Sequence, residues 1–310
     1  MNATLLPKPL RGVIPPVVTP LVDRDTLDTG GAERLVEHIL AGGVHGLFIL
    51  GTTGEAPSLS YRLRRAFISH VCRQVGGRVP VLVGVTDTSF VESVNLAKHA
   101  AEAGAQAVVL SAPYYFPAGQ PELLEYVQDI AAEMPLPMFL YNMPSHTKIT
   151  FDPATVAAAL DIPGVVGMKD SSAQMIYFHK LKAICAERPD FSLLVGPEEL
   201  LGESVLFGAH GGVNGGANLF PRLYVDLYEA ALARDLEKVA ELHARVIHIG
   251  QTIYSVGKHG SAFIKGLKCA LSCLGVCDDF MAEPFHRFRP EHREQIAGYL
   301  AELGAKPQVA

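Results

Sequence analysis

Lys169 stands out by what precedes it: it directly follows the apolar run Gly164-Val165-Val166-Gly167-Met168. A run of that kind reads as a buried strand, and a lysine at its end carries its stem into an apolar interior, where lysine is almost never found without a partner. Desolvation there disfavours an ammonium and favours a neutral amine, the form that attacks a ketone carbonyl to make a Schiff base. The plainer alternative is that Lys169 pairs with Asp170 or another carboxylate at the rim. Tyr141 ends the run Met138–Tyr141, and its phenol has the chemistry to shuttle the proton that carbinolamine formation requires. A packing tyrosine would occupy the same position. Thr52 and Thr53, inside Gly51-Thr52-Thr53-Gly54-Glu55, offer hydroxyls and backbone N–H groups on a glycine-flanked turn suited to a carboxylate.

These residues are useful only if the chain brings them to one place. Eight short runs rich in Val, Ile and Leu recur: Gly12–Val18, Gly46–Leu50, Val81–Val85, Ala107–Leu110, Met138–Tyr141, Val165–Met168, Ser192–Val195 and Gly211–Asn214. They are apolar on both faces, as parallel strands covered by helices are. Helical spacing fills the intervals, as in Ser89–Ala103, where Phe90, Val94, Ala97 and Ala101 share a face. Asp28, Ser60 and Asp152 are expected N-caps, the last followed by Pro153. Eight strands alternating with helices predict a (β/α)8 TIM barrel, whose catalytic residues lie at the C-terminal ends of the strands. A doubly wound sheet fits less well, because Thr19-Pro20 follows the first run where a glycine-rich phosphate turn would stand. The barrel is assigned to residues 1–232 and carries the site. Residues 233–310 form a C-terminal helical region whose segments are Asp235–Tyr254, Ser261–Leu274 and Pro290–Leu303.

Composition narrows the partners. A net charge of −6 leaves no excess of cations for nucleic-acid phosphates. No apolar stretch approaches the ~20 residues of a membrane span. MNATLLPKPLRGVIP lacks a signal-peptide core, and five cysteines suggest reduced thiols, so a cytoplasmic protein is expected. Cys269, Cys273 and Cys277 recur at every fourth residue, which is a core stripe rather than a metal site. The 12 histidines form no HxH or HExxH group, so no metal is expected. The Gly211–Gly216 cluster is only loosely like a phosphate cradle, and with no Trp a stacking platform for sugar rings is not expected.

Four motifs in register, Gly51-Thr52-Thr53-Gly54-Glu55, Pro113-Tyr114-Tyr115, Tyr141-Asn142-Met143-Pro144 and Gly167-Met168-Lys169-Asp170, resemble the dihydrodipicolinate synthase / N-acetylneuraminate lyase family. The resemblance spans the whole barrel. It implies a metal-free class I mechanism without a cofactor, in which Lys169 forms a Schiff base with pyruvate or another 2-oxo acid. Tyr141 would relay protons, helped by Thr53 and by a Tyr115 that reaches over from a neighbouring subunit. The Thr52/Thr53 turn would bind the carboxylate. It also implies a homotetramer, a dimer of dimers.

Departures from the family pattern bear on the substrate. The arginine with which synthases of the family grip aspartate semialdehyde is replaced, in Pro144-Ser145-His146-Thr147, by His146. An imidazole cannot make the bidentate, permanently charged contact. It could hydrogen-bond a hydroxyl or carboxylate, or merely pack. The lysine feedback positions fall on Tyr61, Arg64 and Thr88, and Asn214 and Gly215 end the eighth run in an open Gly-rich turn that could contact substrate. The expectation is therefore an aldolase or dehydratase acting on pyruvate or a related 2-oxo acid. The alternatives are dihydrodipicolinate synthase proper, and an inactive family member that only binds a ligand.

Overall fold

The structure is a computed structural model that describes residues 6–305; the ends of the ranges 1–232 and 233–310 lie outside it. Eight parallel strands form the sheet: Gly12–Val13, Leu47–Ile49, Val81–Gly84, Ala107–Ser111, Met138–Asn142, Val165–Asp170, Ser192–Val195 and Gly211–Gly212. The second to eighth pair in sequence order, and the eighth pairs with the first. Closure of the first onto the second rests on one parallel bridge, Pro16 to Phe48, with Val17 N–H donating to the Phe48 carbonyl at 2.8 Å. Pro15 and Pro16 have no N–H to continue a ladder, which is why the first strand is two residues rather than the seven expected. With its helical ring this is the expected (β/α)8 barrel.

Two apolar regions hold it together. Alternate strand residues fill the barrel interior, among them Phe48, Leu82, Val109, Phe139, Val166 and Leu194. The others pack outward against the helices in one continuous cluster that also takes in Leu242, Leu267 and Ile296 of the C-terminal helices Leu236–Thr252, Ala262–Cys273 and Pro290–Glu302. The C-terminal region therefore shares the barrel's core. Asp28 and Ser60 cap their helices as expected, accepting from Gly31 and Leu63 N–H. Asp152 sits at the N-cap position before Pro153, but its side chain makes no capping bond. A small antiparallel hairpin, Leu21–Asp23 with Thr26–Leu27, is too short for its periodicity to be read from sequence.

One irregularity positions the chemistry. Met138 pairs with Val165 but Phe139 pairs with Gly167, so Val166 is an inserted bulge residue. The alternation resets there: Tyr141 and Lys169 come opposite one another, while Met168 joins the outer cluster. Gly167 is required by close approach, since a Cβ at that position would lie 2.4 Å from the Phe139 ring.

Candidate active site

Lys169 is 6% exposed, and its Nζ lies 4.1 Å from the centroid of the Tyr141 ring and 5.1 Å from that of Phe48. Aromatic faces stabilise a cation without neutralising it. Among the described residues the buried ion pairs are Arg64–Asp87 and Lys268–Glu55, so Lys169 belongs to neither. The pairing with Asp170 that the sequence left open does not form. Asp170 faces the other side of the strand, where its carboxylate accepts from Asn142 Nδ2 at 2.9 Å and from the Ser172 N–H and hydroxyl. Burial raises the Asp170 carboxyl above its ordinary range, partly offset by those three donors.

A cavity of about 320 Å³ opens at the C-terminal ends of the strands; Lys169 is not among its lining residues, but Tyr141, whose ring it sits over, is. Tyr141 and Thr52 line it, and their hydroxyls are 3.4 Å apart. That is long for an O–H···O bond, as such contacts often are before substrate binds. The turn that carries Thr52 is clasped by Gly54 N–H to Gly51 carbonyl (3.1 Å) and Glu55 N–H to Thr52 carbonyl (3.0 Å). Leu50 and Glu55, flanking it, both have left-handed backbones (φ 57° and 56°), a conformation non-glycine residues adopt only when their surroundings impose it.

His146 also lines the cavity, from a one-turn helix, Pro144–Thr147, that follows the fifth strand. Its Nδ1 is 2.9 Å from the Ser145 hydroxyl. Burial, then Lys148 and Lys169, hold the imidazole below its ordinary range, which favours its neutral form. Hydroxyls of Ser58, Thr86, Ser111 and Tyr114 add to the wall, and no lining residue is Arg or Lys.

Several expected residues lie elsewhere. Thr53 is buried beside Thr52 but does not line the cavity; it is the Thr52 hydroxyl that faces Tyr141. Tyr115, expected to act in a neighbouring subunit, is 86% exposed in the single chain, with a left-handed backbone and its ring edge-on to Phe116; its neighbour Tyr114 lines the cavity. Asn214 is fully buried behind the site, donating to the Gly196 carbonyl at 3.2 Å, and Gly215 is backed by the Phe263 ring. A Cβ on Gly196 would come within 3.2 Å of Lys169 Cε, so Asn214 is only one residue removed from the lysine. At the feedback positions, Arg64 forms its buried pair with Asp87 at 3.0 Å, and Tyr61 donates to the same carboxylate. Sequence reasoning missed Ile264 and Phe285, which bring the C-terminal region into the cavity wall. No local signal marks them, because more than 200 residues separate them from Thr52.

Among the described residues no group of three or more His, Cys, Asp or Glu could hold a metal, and no helix is long and apolar enough to cross a membrane. The five cysteines are free, four of them buried.

Residues 9–303 match the dihydrodipicolinate synthetase family. A solved structure of dihydrodipicolinate synthase from Bacteroides thetaiotaomicron is 57% identical, covers 97% of this chain and 100% of its own, and superposes with a TM-score of 0.93. A prophage protein of Escherichia coli K12 from the same family, solved in complex with pyruvate, is 29% identical with a TM-score of 0.89 over 95% of this chain and 98% of its own. A probable 2-dehydro-3-deoxy-D-pentonate aldolase of Escherichia coli K12 is 31% identical over 97% of this chain and 99% of that protein.

Proposed function

This chain belongs to the dihydrodipicolinate synthetase family of lyases, and on that premise we propose that it makes or breaks a bond to pyruvate, or a related 2-oxo acid, through a Schiff base on Lys169. The observation that carries this reading is the lysine's setting: inside the barrel, against two aromatic faces, in neither buried ion pair of the described residues. The Lys169 amine adds to C2 of the 2-oxo acid. The Tyr141 hydroxyl relays the two amine protons in turn to the carbonyl oxygen, regaining its own proton each time, and the oxygen leaves as water. Loss of a C3 proton gives an enamine, whose carbon attacks an aldehyde; the reverse sequence releases pyruvate. Thr52 supports the Tyr141 hydroxyl, and backbone N–H groups of the Thr52/Thr53 turn receive the carboxylate. Tyr115, exposed in the single chain, would complete the relay in a neighbouring subunit of a homotetramer.

The second substrate is a neutral, hydroxylated aldehyde, so the cleaved compound is a 2-oxo-3-deoxy sugar acid. Hydroxyls and His146 suit a polyhydroxy chain, whereas a wall whose one charged lining residue is Glu55 gives a second carboxylate no cation beyond the Lys169 that holds the 2-oxo acid. The name of the 57%-identical Bacteroides protein favours the rival reading, condensation of pyruvate with aspartate semialdehyde. Assays with both substrates separate them. Pyruvate release from 2-dehydro-3-deoxy-pentonate or a homologous acid is expected; turnover of aspartate semialdehyde alone would refute the sugar-acid assignment.

A further inference from the structure

Two charged groups that the chemistry above does not use are among the most deeply buried in the molecule. Lys268, on the helix Ala262–Cys273, is 0% exposed. Its Nζ donates to Glu55 Oε1 at 2.7 Å, to the Thr19 carbonyl at 3.0 Å and to the Phe280 carbonyl. The three donors of an ammonium thus meet three acceptors. The other Glu55 oxygen accepts from the Ala282 N–H at 2.9 Å. Glu55 closes the glycine-flanked turn, and its N–H grips the Thr52 carbonyl. A continuous path therefore runs from Lys268 through Glu55 to Thr52, whose hydroxyl faces Tyr141. Thr19 holds the same turn from its other side, donating its hydroxyl to the Gly54 carbonyl at 2.7 Å.

A buried ion pair is a weak source of net stability, because desolvation offsets much of its attraction. What this one does supply is geometry: it holds a left-handed glutamate in place and ties the turn to the segment Phe280–Ala282, just before Phe285 of the cavity wall. We infer that Lys268 is a positioning residue for catalysis. Through Glu55 it sets the turn that receives the 2-oxo acid carboxylate and aligns Thr52 with Tyr141. The inference rests on the Schiff-base reading above.

The test uses the full chain as wild type, Lys268→Met, Glu55→Gln and the double variant. Two quantities are read: the melting temperature, and the pyruvate concentration that half-saturates trapping by borohydride. Lys268→Met alone strands a buried carboxylate and lowers the melting temperature; the double variant removes both charges of this pair and regains it. Positioning predicts that half-saturation in the double variant stays about tenfold or more above wild type, since a 1 Å misplacement can cost ~100-fold. A double variant that recovers stability and pyruvate saturation together overturns the inference. Should the double variant not fold, Glu55→Gln decides, because it keeps the side chain's length and an oxygen for Lys268. Raised half-saturation with an unchanged near-UV spectrum supports positioning, and unchanged half-saturation overturns it. A wild type that pyruvate does not sensitise to borohydride overturns the Schiff-base reading itself, and this inference with it.

Discussion

Replacing Tyr141 by Phe removes one oxygen and nothing else from the site. The ring remains, with Lys169 Nζ 4.1 Å from its centroid and Phe48 edge-on at 6.4 Å and 89°. What is lost is the hydroxyl that faces Thr52 across 3.4 Å. A contact that long contributes little to the fold, so the stability change should be under about 1 kcal/mol. The chemical step should suffer far more. A positioned proton donor is worth about 10²–10⁴ in rate, or about 3–5 kcal/mol of barrier. The phenol belongs to the ring whose centroid lies 4.1 Å from the lysine nitrogen. Three measurements on Tyr141→Phe separate these effects: the melting temperature, kcat for pyruvate release, and the single-turnover rate of pyruvate-dependent borohydride trapping. The expected result is a near-native melting temperature with kcat and trapping both reduced by at least about a hundredfold. A variant within about threefold of wild-type kcat would refute the assignment of proton relay to Tyr141.

Other sites give independent checks. Gly167→Ala places a Cβ 2.4 Å from the ring of fully buried Phe139 and 2.9 Å from Ser192 Cβ; overpacking should cost about 1–3 kcal/mol in urea unfolding, and an unchanged midpoint would show that the interior yields there. His146→Ala should lower kcat/KM for the hydroxylated substrate by ~5-fold, about one hydrogen bond, without altering pyruvate trapping; an equal loss in both would place His146 in the Schiff-base chemistry instead. His210 accepts the Leu193 N–H on Nδ1 at 2.9 Å, and burial, with help from Arg11 and Lys182, pushes its pKa from 6.5 to about 4. Between those values the unfolded chain holds a proton that the folded one does not, so stability falls as pH drops through that window. His210→Asn keeps an acceptor that does not titrate, and its stability should fall less than wild type's from pH 7 to 4.5; parallel curves would contradict this.

Fold class was legible because both faces of a barrel strand are buried, which leaves unbroken apolar runs such as Val81–Gly84 and Ala107–Ser111. Lys169 and Tyr141 were legible for the same reason, as polar residues terminating such runs. Their facing was not. Counting alternate residues from the outward Val165 turns Lys169 outward too, and only the bulge at Val166, a property of pairing with Met138 and Phe139, turns it in. Within the threonine pair the motif leaves both hydroxyls available, and the left-handed residues at either end of the turn are what aim Thr52 at the phenol. Ile264, Phe285 and Lys268 were invisible for a different reason. Each acts across more than 200 residues of chain, through packing of the C-terminal helices that no local pattern encodes.

The central claim is that Lys169 becomes covalently bound to the substrate. The protein, incubated with pyruvate and reduced with borohydride, should lose activity and gain one reduced pyruvate adduct. Peptide mass spectrometry should place that adduct on Lys169, and Lys169→Ala should take up none. A wild type that stays unmodified and active, or an adduct on another lysine that persists in Lys169→Ala, would contradict the account.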